Sequence, residues 1–146
     1  MTATTTLTAG PTTLPARASH RSTAKQIRRT GAFAGLAASV ATSTIAAVAS
    51  ALDVSLKVGG EAIPVIGFAQ LTFVAAIIGT VMAVVMSHRA RHPRHTFVVS
   101  TIALTALSIV PDVIADAQTA TKLVLALTHV VAASIVIPAL ASRLTD

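Results

Sequence analysis

Four uncharged or nearly uncharged apolar stretches dominate this chain, and no soluble fold can hide all of them. They are "GAFAGLAASVATSTIAAVASAL" (31–52), "AIPVIGFAQLTFVAAIIGTVMAVVMS" (62–87), "TFVVSTIALTALSIV" (96–110, continuing to about Ala115) and "LVLALTHVVAASIVIPALAS" (123–142). A helix needs about 20 residues to cross a hydrocarbon layer of ~30 Å. The first, second and fourth stretches reach that length alone. The third reaches it only by running past Pro111 and carrying Asp112 into the interface. Inside lipid a backbone must satisfy its own hydrogen bonds, so helices are expected, and no alternating ten-residue pattern favours a barrel. The expected fold is all-α: one integral membrane bundle of four transmembrane helices, spanning about 31–52, 62–87, 96–115 and 123–142.

Composition agrees. Hydrophobic residues make up 53% of the 146-residue chain and charged residues 11%, against about a quarter charged in an ordinary soluble domain. Cysteine is absent, which excludes disulfides and thiolate metal sites. Tryptophan and tyrosine are absent too, so the usual interfacial aromatic belt is missing. Residues 1–29, Thr- and Ala-rich with Pro11 and Pro15, read as a disordered basic tail, leaving 30–143 as the membrane domain. A cleaved signal peptide is the alternative for the first stretch, with "ASA" at 49–51 as a loose cleavage site. Its apolar run is longer than a signal core, and the region ahead of it is long.

Charge sets the threading. Arg17, Arg21, Lys25, Arg28 and Arg29 precede the first span, Arg89, Arg91 and Arg94 separate the second from the third, and Arg143 follows the fourth. The opposite side has only Lys57 and Lys122, together with Asp53, Glu61, Asp112 and Asp116. The positive-inside rule then puts both termini and the 88–95 loop in the cytoplasm. "SHRARHPRHT" (87–96) is accordingly a topogenic loop lying against anionic head groups, with Arg28, Arg29, Arg89, Arg91 and Arg94 as its main determinants. A nucleic-acid role lacks the stacking aromatics that usually accompany one. A His88/His92/His95 metal site would need the helix to continue through Pro93.

Small residues mark faces where membrane helices approach closely. Gly31, Gly35, Ser39 and Ser43 in the first span, and Ala75, Gly79 and Ala83 in the second, are the expected packing faces, with a homo-oligomer seam as the sharper alternative. In the third span Thr101, Thr105, Ser108 and Asp112 share one face. The fourth carries His129 inside its apolar run, and Pro138, which removes a hydrogen bond to the Ser134 carbonyl. An ionisable group within a span turns to the bundle interior or to water. Ser108, Asp112 and His129 are therefore the expected polar pocket, although depth along the two helices leaves Asp112 and His129 roughly 7 Å apart.

The stretches "HRARHPRHTF", "ALSIVPDVIADA" and "LALTHVVAASIVIPALA" resemble a family of small actinobacterial integral membrane proteins known as a domain of unknown function. The resemblance covers about residues 28–143. It implies four spans, an Arg-rich loop between the second and third, and a bacterial plasma membrane; it implies no activity. With no nucleophile triad, phosphate loop or paired metal ligands, and no cofactor or metal expected, the first functional class is an accessory, structural or envelope component with lipids as partners. The second is a binder of lipid or small molecules, or a transporter protomer, working through Asp112 and His129. The third is a membrane enzyme acting on a hydrophobic substrate, with one of those residues as acid or base.

Overall fold

The structure, a computed structural model, describes the backbone from Ala16 to Asp146 and side chains from Thr23. Four helices account for most of it: α1 (Ala16–Ala51), α2 (Val65–Arg89), α3 (Pro93–Ile114) and α4 (Thr119–Ala141). A two-residue hairpin, β1 (Lys57–Val58) and β2 (Glu61–Ala62), sits between α1 and α2. All four helices are long and apolar enough to cross a membrane, with α1 qualifying over Thr23–Ala51. Large apolar side chains stand exposed on every helix, among them Val40, Leu71, Leu107 and Leu123. That outward display suits acyl chains and would be untenable in water.

α1 packs against α2 and α4, α3 against α4 and α2, so α1 and α3 take opposite corners of the bundle. The α1–α2 contact is the most extensive, and small residues let the backbones approach there. A Cβ placed on Gly31 would lie 2.0 Å from Thr80 Oγ1, and one on Gly35 would lie 2.9 Å from Ala76 Cβ. Further along, Ser39 Oγ donates to the Ala69 carbonyl at 3.1 Å, and Thr42 and Thr72 hydroxyls meet at 3.0 Å. Ser43 Oγ, the next position of that stripe, is buried without a hydrogen-bond partner. Gly31, Gly35 and Ser39 of α1 are thus covered by α2 of the same chain.

Two apolar plugs close the ends of the bundle. At the basic end Ile27, Ala83, Phe97, Leu140, Ala141 and Leu144 pack together. At the other end Ala46, Ala49, Leu56 and Phe68 do so. The hairpin serves the second plug. Gly59 and Gly60 have φ of 58° and 85°, positive at both central positions of a two-residue turn, as the natural twist of a hairpin demands. That tight turn lets Leu56 point inward while the Gly59 N–H donates to the Asp116 carbonyl at 2.9 Å. Thr121 Oγ1 also donates to the Ser55 carbonyl. At the basic end, Asp146 Oδ1 accepts from the Arg94 and His95 N–H groups at 2.9 and 3.2 Å, capping α3 where its first amides lack partners.

The structure departs from the sequence reading at the start of α1. Residues 16–29, expected as part of the tail, are helical; residues 1–15 lie outside the described residues. "AKQIRR" is made of good helix formers, and Ile27, the apolar residue within it, is fully buried in the basic-end plug. Elsewhere boundaries shift by a few residues. α2 starts at Val65 because Ala62 pairs with Lys57 and Pro64 forms the N-cap. α3 starts at Pro93, where the missing N–H is harmless.

Candidate functional site

Between the plugs, α2, α3 and α4 do not close against one another. They leave a cleft of about 290 Å³. Its walls are mainly apolar: Ala75, Ile78, Gly79 and Met82 from α2, Leu104 from α3, and Ala132, Val136 and Ile137 from α4. Phe97 of the basic-end plug forms its floor. A smaller hollow of about 140 Å³ lies between α2 and α4 toward the other plug, sharing Thr72, Ala75, His129 and Ala132 with the cleft. His129 stands at the junction of the two.

A polar ribbon crosses this apolar space. Thr101, Thr105 and Ser108 line it from α3, Thr72 from α2 and His129 from α4. The α3 hydroxyls bond backward along their own helix: Thr101 to the Phe97 carbonyl at 2.7 Å, Thr105 to Thr101 at 2.8 Å, and Ser108 to Thr105 at 2.7 Å. Such back-bonding satisfies the donor without a partner helix.

Asp112 and His129 come together at the end of the ribbon. His129 Nδ1 lies 3.0 Å from the Leu125 carbonyl oxygen and 3.0 Å from Asp112 Oδ2. Only the first contact is aligned as a hydrogen bond; Oδ2 is buried with no hydrogen bond of its own. The second contact is a close electrostatic one, an ion pair whenever the imidazole is protonated. The Asp112 side chain is 14% exposed and that of His129 37%. Asp112 is thus a carboxylate held in a membrane helix against one polar neighbour, the situation in which burial is most costly. Nearer the α3–α4 connection, Lys122 Nζ donates to the Val113 carbonyl at 2.9 Å, holding the end of α3 to the start of α4.

The other residues that the sequence singles out fall elsewhere in the bundle. Gly31, Gly35 and Ser39 lie at the α1–α2 contact and Ala83 in the basic-end plug. Ala75 and Gly79 do not face α1: the buried α2 stripe is Ala76, Thr80 and Ala83, one residue round the helix, and Ala75 and Gly79 line the cleft. Arg28 and Arg29 lie on α1 and Arg89, Arg91 and Arg94 around the α2–α3 loop, with Arg29 stacked over Phe33 at 5.8 Å. His88 lies in the last turn of α2, His92 at the N-cap position of α3 without a side-chain capping bond, and His95 in the first turn of α3. Among the described residues no three His, Cys, Asp or Glu side chains are grouped to hold a metal. Among the cleft residues that the sequence left unmarked are Thr72, Ile78, Leu104, Ala132 and Val136; an isolated threonine or aliphatic residue gives no signal of its own.

Against known sequences, the profile of a family of unknown function, DUF6069, matches residues 22–146. The chain belongs to that family. The match takes in all four spans of this DUF6069 protein, both residues of the polar pair, and the C-terminal segment that caps α3. No curated protein and no solved structure matches it.

Proposed function

We propose that this DUF6069 protein is a non-catalytic, multi-pass component of a bacterial plasma membrane that holds an amphipathic small molecule or lipid in the α2–α3–α4 cleft. One observation carries the reading: an apolar cleft, open on one side of the bundle, reaches His129, and Asp112 lies 3.0 Å behind that imidazole. Ligand sites are mostly apolar with a few convergent polar groups, and intramembrane ionisable residues are expensive unless they serve a site. A purely structural component would have gained more by closing the helices over the gap. The charge distribution supports an orientation with both termini and the α2–α3 loop in the cytoplasm. Lys25, Arg28, Arg29, Arg89, Arg91, Arg94 and Arg143 all belong to one end, where they would meet anionic head groups, and Lys57 and Lys122 belong to the other.

Native mass spectrometry from a mild non-ionic detergent tests the ligand reading. The wild-type protein is expected to carry a non-protein mass that a Gly79→Leu variant loses. Gly79 lines the cleft and a Cβ there meets only Leu140 Cδ1, at 3.8 Å, so the larger side chain is directed at the ligand space. An adduct retained equally by Gly79→Leu would place the bound molecule elsewhere and overturn the proposal.

A further inference from the structure

The polar atoms lining the cleft have one chemical property in common: their hydrogens are already spent. Thr101, Thr105 and Ser108 each donate to a carbonyl of their own helix. Thr42 donates to the Ser39 carbonyl at 3.2 Å, so in the contact between Thr42 and Thr72 the proton comes from Thr72. The Leu125 carbonyl can only accept, so the His129 Nδ1 that bonds it carries the proton. In the neutral ring Nε2 is then an acceptor. Asp112 adds a carboxylate with one buried oxygen lacking a hydrogen bond. With that ring neutral, the cleft lining offers a ligand hydroxyl and imidazole lone pairs and no free donor, with the Asp112 carboxylate behind His129.

Resting on the ligand reading above, we infer that the cleft takes a hydrophobic amine: an apolar body along α2–α3–α4 and a protonated amino group at the Ser108–His129 end. Such a head group supplies what the lining lacks, both N–H donors and positive charge. Ser108 and Asp112 are one turn apart on the same face of α3, with Cβ atoms about 5–6 Å apart, so an ammonium beside Ser108 is within ion-pairing reach of the carboxylate. It gives the Asp112 carboxylate a positive partner while the His129 ring stays neutral. A carboxylate or phosphate head would meet only lone pairs and a like charge. The distance from Phe97 to Ser108 along α3 is about 16 Å at the helical rise, long enough for a medium alkyl chain or a fused-ring body.

The experiment uses three probes with one apolar body: decylamine, decanol and decanoate. Each is added to the full-length protein in nanodiscs of zwitterionic lipid, so that bulk anionic lipid does not concentrate the amine. Retention is read by native mass spectrometry, with Gly79→Leu as the blocked control. Decylamine is expected to bind about tenfold or more tighter than decanoate, the scale of one charge-assisted hydrogen bond, with decanol between them. Asp112→Asn is expected to bring decylamine down to the level of decanol. Should that variant not fold, the ranking of the probes on wild type alone decides. Equal retention of all three, each abolished by Gly79→Leu, would leave the cleft as a ligand site and overturn the amine. Preference for decanoate would mean that the pair presents a protonated imidazole, and would overturn it as well. No probe retained above the Gly79→Leu level would remove the ligand reading itself, and the amine with it.

Discussion

Gly31 is where the bundle has least room, and replacing it with alanine is the sharpest test of the packing. A Cβ there would lie 2.0 Å from Thr80 Oγ1, 2.7 Å from its Cγ2 and 2.9 Å from its Cβ. Thr80 is buried and cannot simply swing away, because its hydroxyl donates to the Ala76 carbonyl at 2.7 Å. The helices must separate or Thr80 must change rotamer, at an overpacking cost of ~1–3 kcal/mol. Losing the back-bond adds a fraction of a kcal/mol, and the better helix propensity of alanine returns about 1 kcal/mol. The net expectation is a destabilisation of about 1.5 kcal/mol, or a melting temperature lower by roughly 3–6 °C for a chain of this size. Thr80→Ala in the same background removes the two nearest contacts and leaves only the one at 2.9 Å, so it should restore most of the loss. Gly79→Ala, with its nearest neighbour at 3.8 Å, should be neutral or mildly stabilising. The chain has no Trp or Tyr for intrinsic fluorescence. The assay is therefore a size-exclusion thermal melt of an N-terminal fluorescent-protein fusion, which leaves the Asp146 contacts free. Gly31→Ala as stable as wild type, or no rescue by Thr80→Ala, would refute the α1–α2 packing described above.

For the polar pair, a stability double-mutant cycle with Asp112→Asn and His129→Gln should give a coupling of about 0.5 kcal/mol or more, the usual size of an interhelical polar contact in a membrane; additive effects would break the pair. At the basic end, Leu144→Ala should cost about 2–3 kcal/mol as a buried leucine does, and Asp146→Ala about 1 kcal/mol as a lost cap. A melt unchanged by both would show that the C-terminal segment does not hold α3. Threading is checked with topology reporters: fusions after Asp146 and at Pro93 should read cytoplasmic, and those at Gly60 and Thr119 extracytoplasmic. A reversed signal at Pro93 would invert the orientation.

The spans were legible because lipid imposes a crude requirement, length without charge, that a sequence displays openly. Faces were harder. On α1 Gly31, Gly35 and Ser39 meet α2, and their smallness is visible in the letters. On α2 the same rule selected Ala75 and Gly79, yet the face that meets α1 is Ala76 and Thr80. The reason is that a back-bonded threonine packs as a small residue: Thr80 hides its hydroxyl on the Ala76 carbonyl, which a search for glycine, alanine and serine does not register, and its stripe lies one position, about 100°, round the helix. The start of α1 was missed for a related reason. Ile27 is a single apolar letter in a basic stretch, and its importance comes from Leu140 and Leu144, more than a hundred residues away.

The approach of Asp112 to His129 shows what a depth argument omits. Counting residues from the α3–α4 connection puts the two Cα positions roughly 7 Å apart along the bundle axis. Side chains, however, lean toward the N-terminus of their own helix. α3 and α4 run antiparallel about a four-residue connection. Asp112, near the end of α3, leans away from that connection and deeper into the bundle. His129, further along α4, leans back toward it, and its Nδ1 bonds Leu125 one turn earlier. Both displacements reduce the same gap, and the atoms meet at 3.0 Å. The rule gives the lean but not the rotational phase of either helix, which depends on the packing of α3 against α2 and α4. Thr101, Thr105 and Ser108 narrow that phase: their 4–3–4 spacing runs into Asp112, and the face they define is the one turned to the cleft. Had the same spacing carried Asp112 to the lipid side, the carboxylate would have had no partner within the chain, so the buried phase is the one its charge can tolerate.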